Sequence, residues 1–227
     1  YETVQFHQAL ATTGVKTAHG FEITTDNMDK FTAKKLIFAS GIKDSMPEIK
    51  GFAACWGISV VHCPYCHGYE IRNKNTAIIA NGSRALHLAS LINNLSTDLT
   101  LLTNGKPDFT AEQVEKLTKH NIKIIDTTIS EMVHVDGNIQ HIVFSDMTKK
   151  NFEAAYASLP FVQHSSMPEA FGCVLTDQGH LQIDAFHKTN IPGIYACGDN
   201  SNMMRSVANA VYSGNLVGAA VNAELVQ

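Results

Sequence analysis

Between residues 75 and 126 short apolar runs alternate with helix-spaced ones, and this alternation constrains the fold more than any other feature. "NTAIIA" (75–80), "DLTLLT" (98–103) and "IKIID" (122–126) are short and apolar, bounded by polar residues, as buried strands are. Between them, "NGSRALHLASLINNL" (81–95) repeats apolar residues at 85, 88, 91, 92 and 95, a helical spacing. "TAEQVEKLTKH" (110–120) is a second, more polar helix, with Thr110 as N-cap and Gln113 three residues on. A β-α-β-α-β order predicts a parallel sheet with right-handed crossovers.

The flanking segments read differently. "ETVQF", "GFEITTD" (20–26) and "KKLIFASG" (34–41) are strand-like, with "GVKTAHG" (14–20) as a hairpin connection and 42–51 as a linker. Residues 128–156 read as consecutive strands, a β-meander added to the parallel sheet, and 158–172 as a second crossover. "LQID" and "GIYACGD" read as short strands, and the last twenty or so residues as a buried helix. The fold class expected is α/β with two three-layer, Rossmann-like domains. The chain divides into 1–48, 49–157 and 158–227, the middle segment being inserted into a discontinuous outer domain.

Composition narrows the function. With 227 residues, 44% hydrophobic and a net charge of -4, the chain has a core but no basic face for nucleic acid, and no apolar run long enough to span a membrane. Its five cysteines, 55, 63, 66, 173 and 197, are too sparse for a secreted disulfide framework, so a reducing, cytoplasmic setting is expected.

"VVHCPYCHGYE" (60–70) carries the most chemistry. A Cys-x-x-Cys loop entering a helical turn suits a reversible disulfide. Zinc is the rival, but a zinc site wants four ligands and no second pair exists, so no metal is expected. An inert buried pair is the third reading. At Ala80–Ala85 the strand–turn–helix reads A-N-G-S-R-A, a degenerate dinucleotide fingerprint. Gly82 supplies the close-approach glycine, and Ser83 and Arg84 follow at the helix start, but Ala80 replaces the first glycine. "TNGK" (103–106) offers neither the acid nor the Arg expected for a ribose or its phosphate. "ACGDNSNMMRSVANAV" puts Gly198 and Asp199 between a strand and a helix, a place suited to ribityl hydroxyls and phosphates.

The order FASG, CPYCH, ANGSRA, ACGD resembles the low-molecular-weight thioredoxin reductases and, more broadly, the FAD-dependent pyridine nucleotide-disulphide oxidoreductases. The resemblance covers nearly the whole chain. It implies a discontinuous FAD domain enclosing an NAD(P)-type domain, and electrons running from NAD(P)H to FAD to a Cys63–Cys66 disulfide to a partner. That partner is a small protein or small-molecule disulfide or dithiol, and the assembly a homodimer. It implies Cys66 as the flavin-side sulfur, Cys63 as the exchanging sulfur, and cofactor contacts at Ser40, Gly41, Gly198, Asp199, Arg205, Ser206 and Val207. It also implies an N-terminal flavin unit that this chain, beginning at Tyr1, does not carry, so FAD binding by this piece is expected to be compromised.

Three departures point to a different thiol–disulfide reaction. His67 follows the second cysteine where thioredoxin reductases place an acid, and imidazole can move that proton near neutral pH. The nicotinamide motif is degenerate. Arg205-Ser206-Val207 replaces the usual Arg-Gln-Ala. Together they raise the alternative of a dithiol oxidase that passes electrons from FAD to oxygen with little NAD(P)H use. The alternative from another class is a non-enzymatic, possibly metal-binding, α/β fragment.

Overall fold

A computed structural model describes residues 2–226, which divide into two compact units. In chain order the strands and helices begin with β1 (Ala11–Thr17), β2 (Gly20–Thr25), β3 (Lys30–Ala33), β4 (Leu36–Phe38) and β5 (Ile42–Asp44). Then come α1 (Phe52–Cys55), β6 (Val60–Val61), α2 (Pro64–His67), β7 (Thr76–Ile79), α3 (Gly82–Ile92), β8 (Leu99–Leu102), α4 (Ala111–Lys119) and β9 (Lys123–Ile125). They are followed by β10 (Ile129–Val135), β11 (Asn138–Phe144), β12 (Lys149–Asn151), β13 (Ala154–Ala157), β14 (Phe161–Gln163), α5 (Met167–Ala170), β15 (Ile194–Ala196) and α6 (Val207–Leu225).

The unit spanning 45–160 is a three-layer α/β body. Its parallel sheet runs β6-β13-β7-β8-β9. Strands β8 and β13 are buried at every residue, as interior parallel strands must be when both faces are covered. Alternation then deals side chains to two cores. Ala77, Leu102, Ala155 and Ala157 face one cluster with Met132, Ile142 and Phe144 of the antiparallel sheet β10-β11-β12. Ile78, Leu101 and Tyr156 face the other, against Ala85, Leu88 and Ile92 of α3 and Leu117 of α4. The predicted capping box of α4 forms, Thr110 Oγ1 accepting from Gln113 N and Gln113 Oε1 from Thr110 N. Ser59 anchors the lead-in to β6. Its hydroxyl donates to Gly137 O at 2.6 Å and accepts from Ile139 N at 3.1 Å.

The second unit comprises 2–44 and 161–226 of the described residues. It holds an antiparallel β1-β2-β3 sheet, an antiparallel pair β14-β5 and a parallel pair β15-β4. Phe21, Cys173, Leu181, Ile194 and Ala196 form its core.

Several expectations are corrected. Residues 2–6 form no strand, and Phe6 is exposed; Tyr1 lies outside the described residues. The first hairpin turn is only Ala18–His19, because pairing continues to Thr17 opposite Gly20. Part of the supposed linker is β5, recruited by β14. The meander is a separate three-stranded sheet. The "KKNFEAAYASL" segment splits, and its second half returns as β13 between β6 and β7, where its small apolar residues fit an interior position. "LQID" makes one bridge, Leu175–Leu181. Helix α6 buries Ser213 and Val217 but exposes Val207, Val211 and Tyr212, so its apolar composition is not matched by burial here. No described helix is long and apolar enough to cross a membrane.

Near its end, α6 is tied down by Glu224, whose carboxylate pairs with Lys188 at 2.5 Å and with Lys35. Those two cations, Lys188 foremost, hold its pKa down at about 2. A carboxylate whose pKa is depressed in the folded state stabilises above its unfolded value, near 4.5, and loses that contribution as pH falls toward 2. The difference in thermal midpoint between the unaltered chain and Glu224→Gln should therefore shrink across that interval, measured by circular dichroism.

Candidate functional site

Each predicted site residue sits at or just beyond the carboxyl end of a parallel strand, or at a helix start, where open α/β sheets hold their ligands. Strand β6 ends two residues before Cys63. Cys63 keeps an extended backbone and caps α2, with Pro64 in the first helical position. Its carbonyl accepts from Cys66 N and His67 N, both at 3.2 Å, so a single turn fixes the spacing of the two cysteines. Cys63 is half-buried, while Cys66 and His67 are exposed. Among the described residues no three His, Cys, Asp or Glu side chains gather in a metal-holding group.

Gly68, which sequence reasoning passed over, lets this turn pack. A Cβ there would lie 2.2 Å from Pro64 O and 2.4 Å from Leu95 Cδ1. Also missed was Tyr156, 1% exposed, with a shielded hydroxyl that lacks a hydrogen-bond partner. Burial first, then Cys63 and Glu70, push its phenol up to about 12. By contrast, Cys55, Cys173 and Cys197 are buried thiols raised by desolvation, the inert kind.

The Ala80–Ala85 turn is closed by the chain itself. Gly82 opens α3 with φ +59°, so this glycine is required by the backbone whether or not a phosphate binds. Its N–H donates to Asn81 Oδ1 at 2.8 Å, which also accepts from Asp108 N at 2.9 Å. Asn81 Nδ2 donates to Lys106 O. The Asp108 backbone is thereby held, and its Oδ2 lies 3.3 Å from where a Gly82 Cβ would be. Arg84 is directed to Ser158 Oγ at 3.2 Å, and Ser83 is exposed. A carboxylate over the turn repels a pyrophosphate. The residues present do not fit a nicotinamide dinucleotide, and neither Asn81 nor Asp108 belonged to the expected site.

In the other unit β4 and β15 run parallel, so Ser40-Gly41 and Gly198-Asp199 emerge from adjacent strand ends. Asn200 locks them, its Nδ2 donating to Phe38 O and its carbonyl accepting from Gln163 Nε2. Ser40 lines a cavity of about 700 Å³ with Phe38, Ala39, His164, Ser166 and Met167. Its hydroxyl is shielded and unpartnered. A walled cavity carrying an orphaned hydroxyl suits a polyhydroxylated cofactor, so these residues fit a flavin's ribityl arm. His164, left outside the expected site, joins this wall and donates its backbone N–H to Gly41 O at 3.4 Å. Arg205 is held by a bidentate pair to Asp44, both contacts 3.0 Å. Ser206 is the N-cap of α6, and Val207 is 82% exposed. Burial, then the Arg205 charge, lowers the pKa of His180, against the pull of Asp199, which places these three groups within electrostatic reach.

A family model described as "Pyridine nucleotide-disulphide oxidoreductase" matches residues 2–214. A thioredoxin reductase of Claviceps purpurea is 30% identical over 217 residues, covering 92% of this chain and 68% of that protein. The crystal structure of an oxidoreductase from Agrobacterium tumefaciens superposes with a TM-score of 0.90 at 30% identity, covering 100% of this chain and 76% of that one. A Bacillus anthracis structure described as a thioredoxin reductase gives 0.93 at 27% identity, with the same coverage.

Since a Cβ at Gly68 overlaps both backbone and side chain, Gly68→Ala should cost about 1–3 kcal/mol in urea unfolding. A disulfide formed between Cys63 and Cys66 by mild oxidation should also be easier to reduce in a glutathione titration, because the turn that sets their spacing must shift.

Proposed function

The chain belongs to the pyridine nucleotide-disulphide oxidoreductase family, and on that footing we propose that it performs flavin-coupled thiol–disulfide exchange through Cys63 and Cys66. The observation that carries this reading is the single turn, closed on Cys63 O, that sets both sulfurs beyond a parallel strand. Two similar proteins support the reaction class: the Claviceps purpurea thioredoxin reductase and the Bacillus anthracis structure described as one.

In the reducing direction the Cys63 thiolate attacks one sulfur of a partner disulfide. A Cys63–partner bond forms as the partner's S–S bond breaks, and the partner's other sulfur leaves with the electron pair. Cys66 then attacks the Cys63 sulfur, the second partner thiol departs, and a Cys63–Cys66 disulfide remains. Two electrons pass to the partner, and His67, next to Cys66, takes up or returns the proton. Run backward, the same steps close a disulfide in a dithiol partner. FAD, when bound, supplies the two-electron relay to Cys66. Ser40, Gly41, Gly198 and Asp199 would hold its ribityl-phosphate arm, and Arg205, Ser206 and Val207 would lie by the ring.

Anaerobic reduction of the flavin-loaded protein should produce a long-wavelength thiolate–flavin charge-transfer band. Cys66→Ser should abolish it, and a band that survives the substitution would sink the assignment of the flavin-side sulfur.

A second reading is favoured by Asp108. Reduction by NAD(P)H is the family's expected electron input, yet the Asn81–Asp108 arrangement covers the turn where the pyrophosphate would rest. This favours a dithiol oxidase, with oxygen as the final electron acceptor. NADPH should bind the unaltered protein weakly. Asp108→Asn, which removes the charge and keeps the shape, should tighten binding by about tenfold at low salt, followed by nicotinamide fluorescence. Tight NADPH binding by the unaltered protein would return the assignment to a reductase.

A further inference from the structure

Strands β5 and β14 pair antiparallel, with Phe161 directly opposite Asp44 and Gln163 opposite Ile42. Directly opposed residues share a face of a strand pair, about 5 Å apart at Cβ, and Gln163, two residues on, shares it too. Two groups from elsewhere in the chain settle on that face. Arg205 lies on Asp44, both guanidinium contacts 3.0 Å. His180 lies on Phe161, the ring centroids 4.8 Å apart. The imidazole and the guanidinium are therefore neighbours by register, one on each member of a cross-strand pair.

The two are not held alike. Gln163 Nε2 donates to Gly179 O at 2.8 Å and to Asn200 O at 2.9 Å, and Leu181 N donates to the same Asn200 carbonyl at 2.8 Å. His180 is thus pinned on both sides, and it is 6% exposed. Arg205 follows Met203 and Met204, both exposed, and precedes the N-cap of α6. Of the two neighbours, Arg205 is the one able to move.

We propose that His180 is a positioning residue for Arg205: its uncharged ring permits the Asp44–Arg205 pair, and a proton on that ring dislodges the segment 203–206. This deepens the flavin-coupled reading above, in which Arg205, Ser206 and Val207 lie by the flavin ring, and rests on it. Acid then loosens the hold on FAD at the same step. The physical ground is burial and charge. His180 Nε2 is shielded and unpartnered, so a doubly protonated ring carries an N–H with no acceptor. Burial first, then the Arg205 charge, weakens the ring's hold on a proton, and the Asp199 carboxylate opposes them. On this face β14 contributes only the uncharged Phe161 and Gln163, and β5 contributes Asp44, already engaged by Arg205. Asp177, on the turn before His180, is exposed, and His164, just past β14, belongs to the Ser40 cavity. Because the ring binds its proton less tightly folded than unfolded, the fold loses stability as pH falls below the ordinary histidine value of 6.5, until the folded ring is itself protonated.

The test follows two nuclear magnetic resonance signals of the unaltered chain from about pH 8 to 5: the His180 ring Cε1–H and the Arg205 Nε–H. The Arg205 signal should be sharp at the upper end and should disappear with the same midpoint at which His180 titrates. In His180→Gln, which cannot take up a proton, it should persist to the lower end. FAD binding, followed by flavin fluorescence, should weaken about tenfold from pH 7.5 to 5.5 in the unaltered chain and change less than about twofold in His180→Gln. An Arg205 signal that stays constant while His180 titrates overturns the proposal, and so does one lost equally in His180→Gln. The first of these outcomes needs no variant to fold. Failure of the underlying flavin reading looks different: the two signals titrate together, yet Asp44→Asn leaves FAD binding unchanged at either pH.

Discussion

Strand Ala154–Ala157 is the element on which the dithiol unit depends. It lies between Val60–Val61 and Thr76–Ile79, bonding both in parallel register. Without it, the two-residue strand that delivers Cys63 would have no sheet to join. Its alternation also partitions the unit. Ala155 and Ala157 are small enough for Phe52, Met132 and Phe144 to close over them, while Tyr156 fills the helix side. Tyrosine on that face is the costly choice, because it brings a hydroxyl into a core with no partner for it.

Polar tethers then fix what the sheet only approximates. Asn81 binds three backbone groups, Gly82 N, Asp108 N and Lys106 O, and so draws the loop after β8 over the start of α3. The dinucleotide-like turn keeps its backbone shape while a carboxylate takes the place of an anion site. In the other unit Asn200 and Gln163 join the ends of β4 and β15 by side chain to backbone bonds. Turns of this kind hold geometry without large hydrophobic burial, which suits strand ends that must stay accessible.

The legible parts of the sequence were the local ones. Residues 75–126 announced two helices and three strands because each element carries its own period, and the α4 capping box is a three-residue signal. The Cys63–Cys66 pair was legible for the same reason. What sequence reading missed depends on partners far along the chain. Val60–Val61 and Ile42–Asp44 are strands only because β13 and β14 pair with them, across roughly a hundred residues. Ala154–Ala157 has no polar alternation to betray it, being buried on both faces. Asp108 acts on Gly82 through Asn81, 27 residues away, and no motif encodes that reach. Helix α6 misled in the opposite sense, since its small apolar residues suggest burial that the described residues do not provide.

The departures from a thioredoxin reductase pattern acquire a common physical sense. An NAD(P)H-driven reductase needs an anion-friendly turn and an acid beside the flavin-side cysteine. Here the turn carries Asp108, and the cysteine is followed by His67 in place of an acid. Imidazole is a stronger base than carboxylate, so the two side-chain types differ in how readily they take a proton from a thiol. The Asp108 carboxylate beside Gly82 and the imidazole in place of an acid are the two residues by which this chain departs from that pattern.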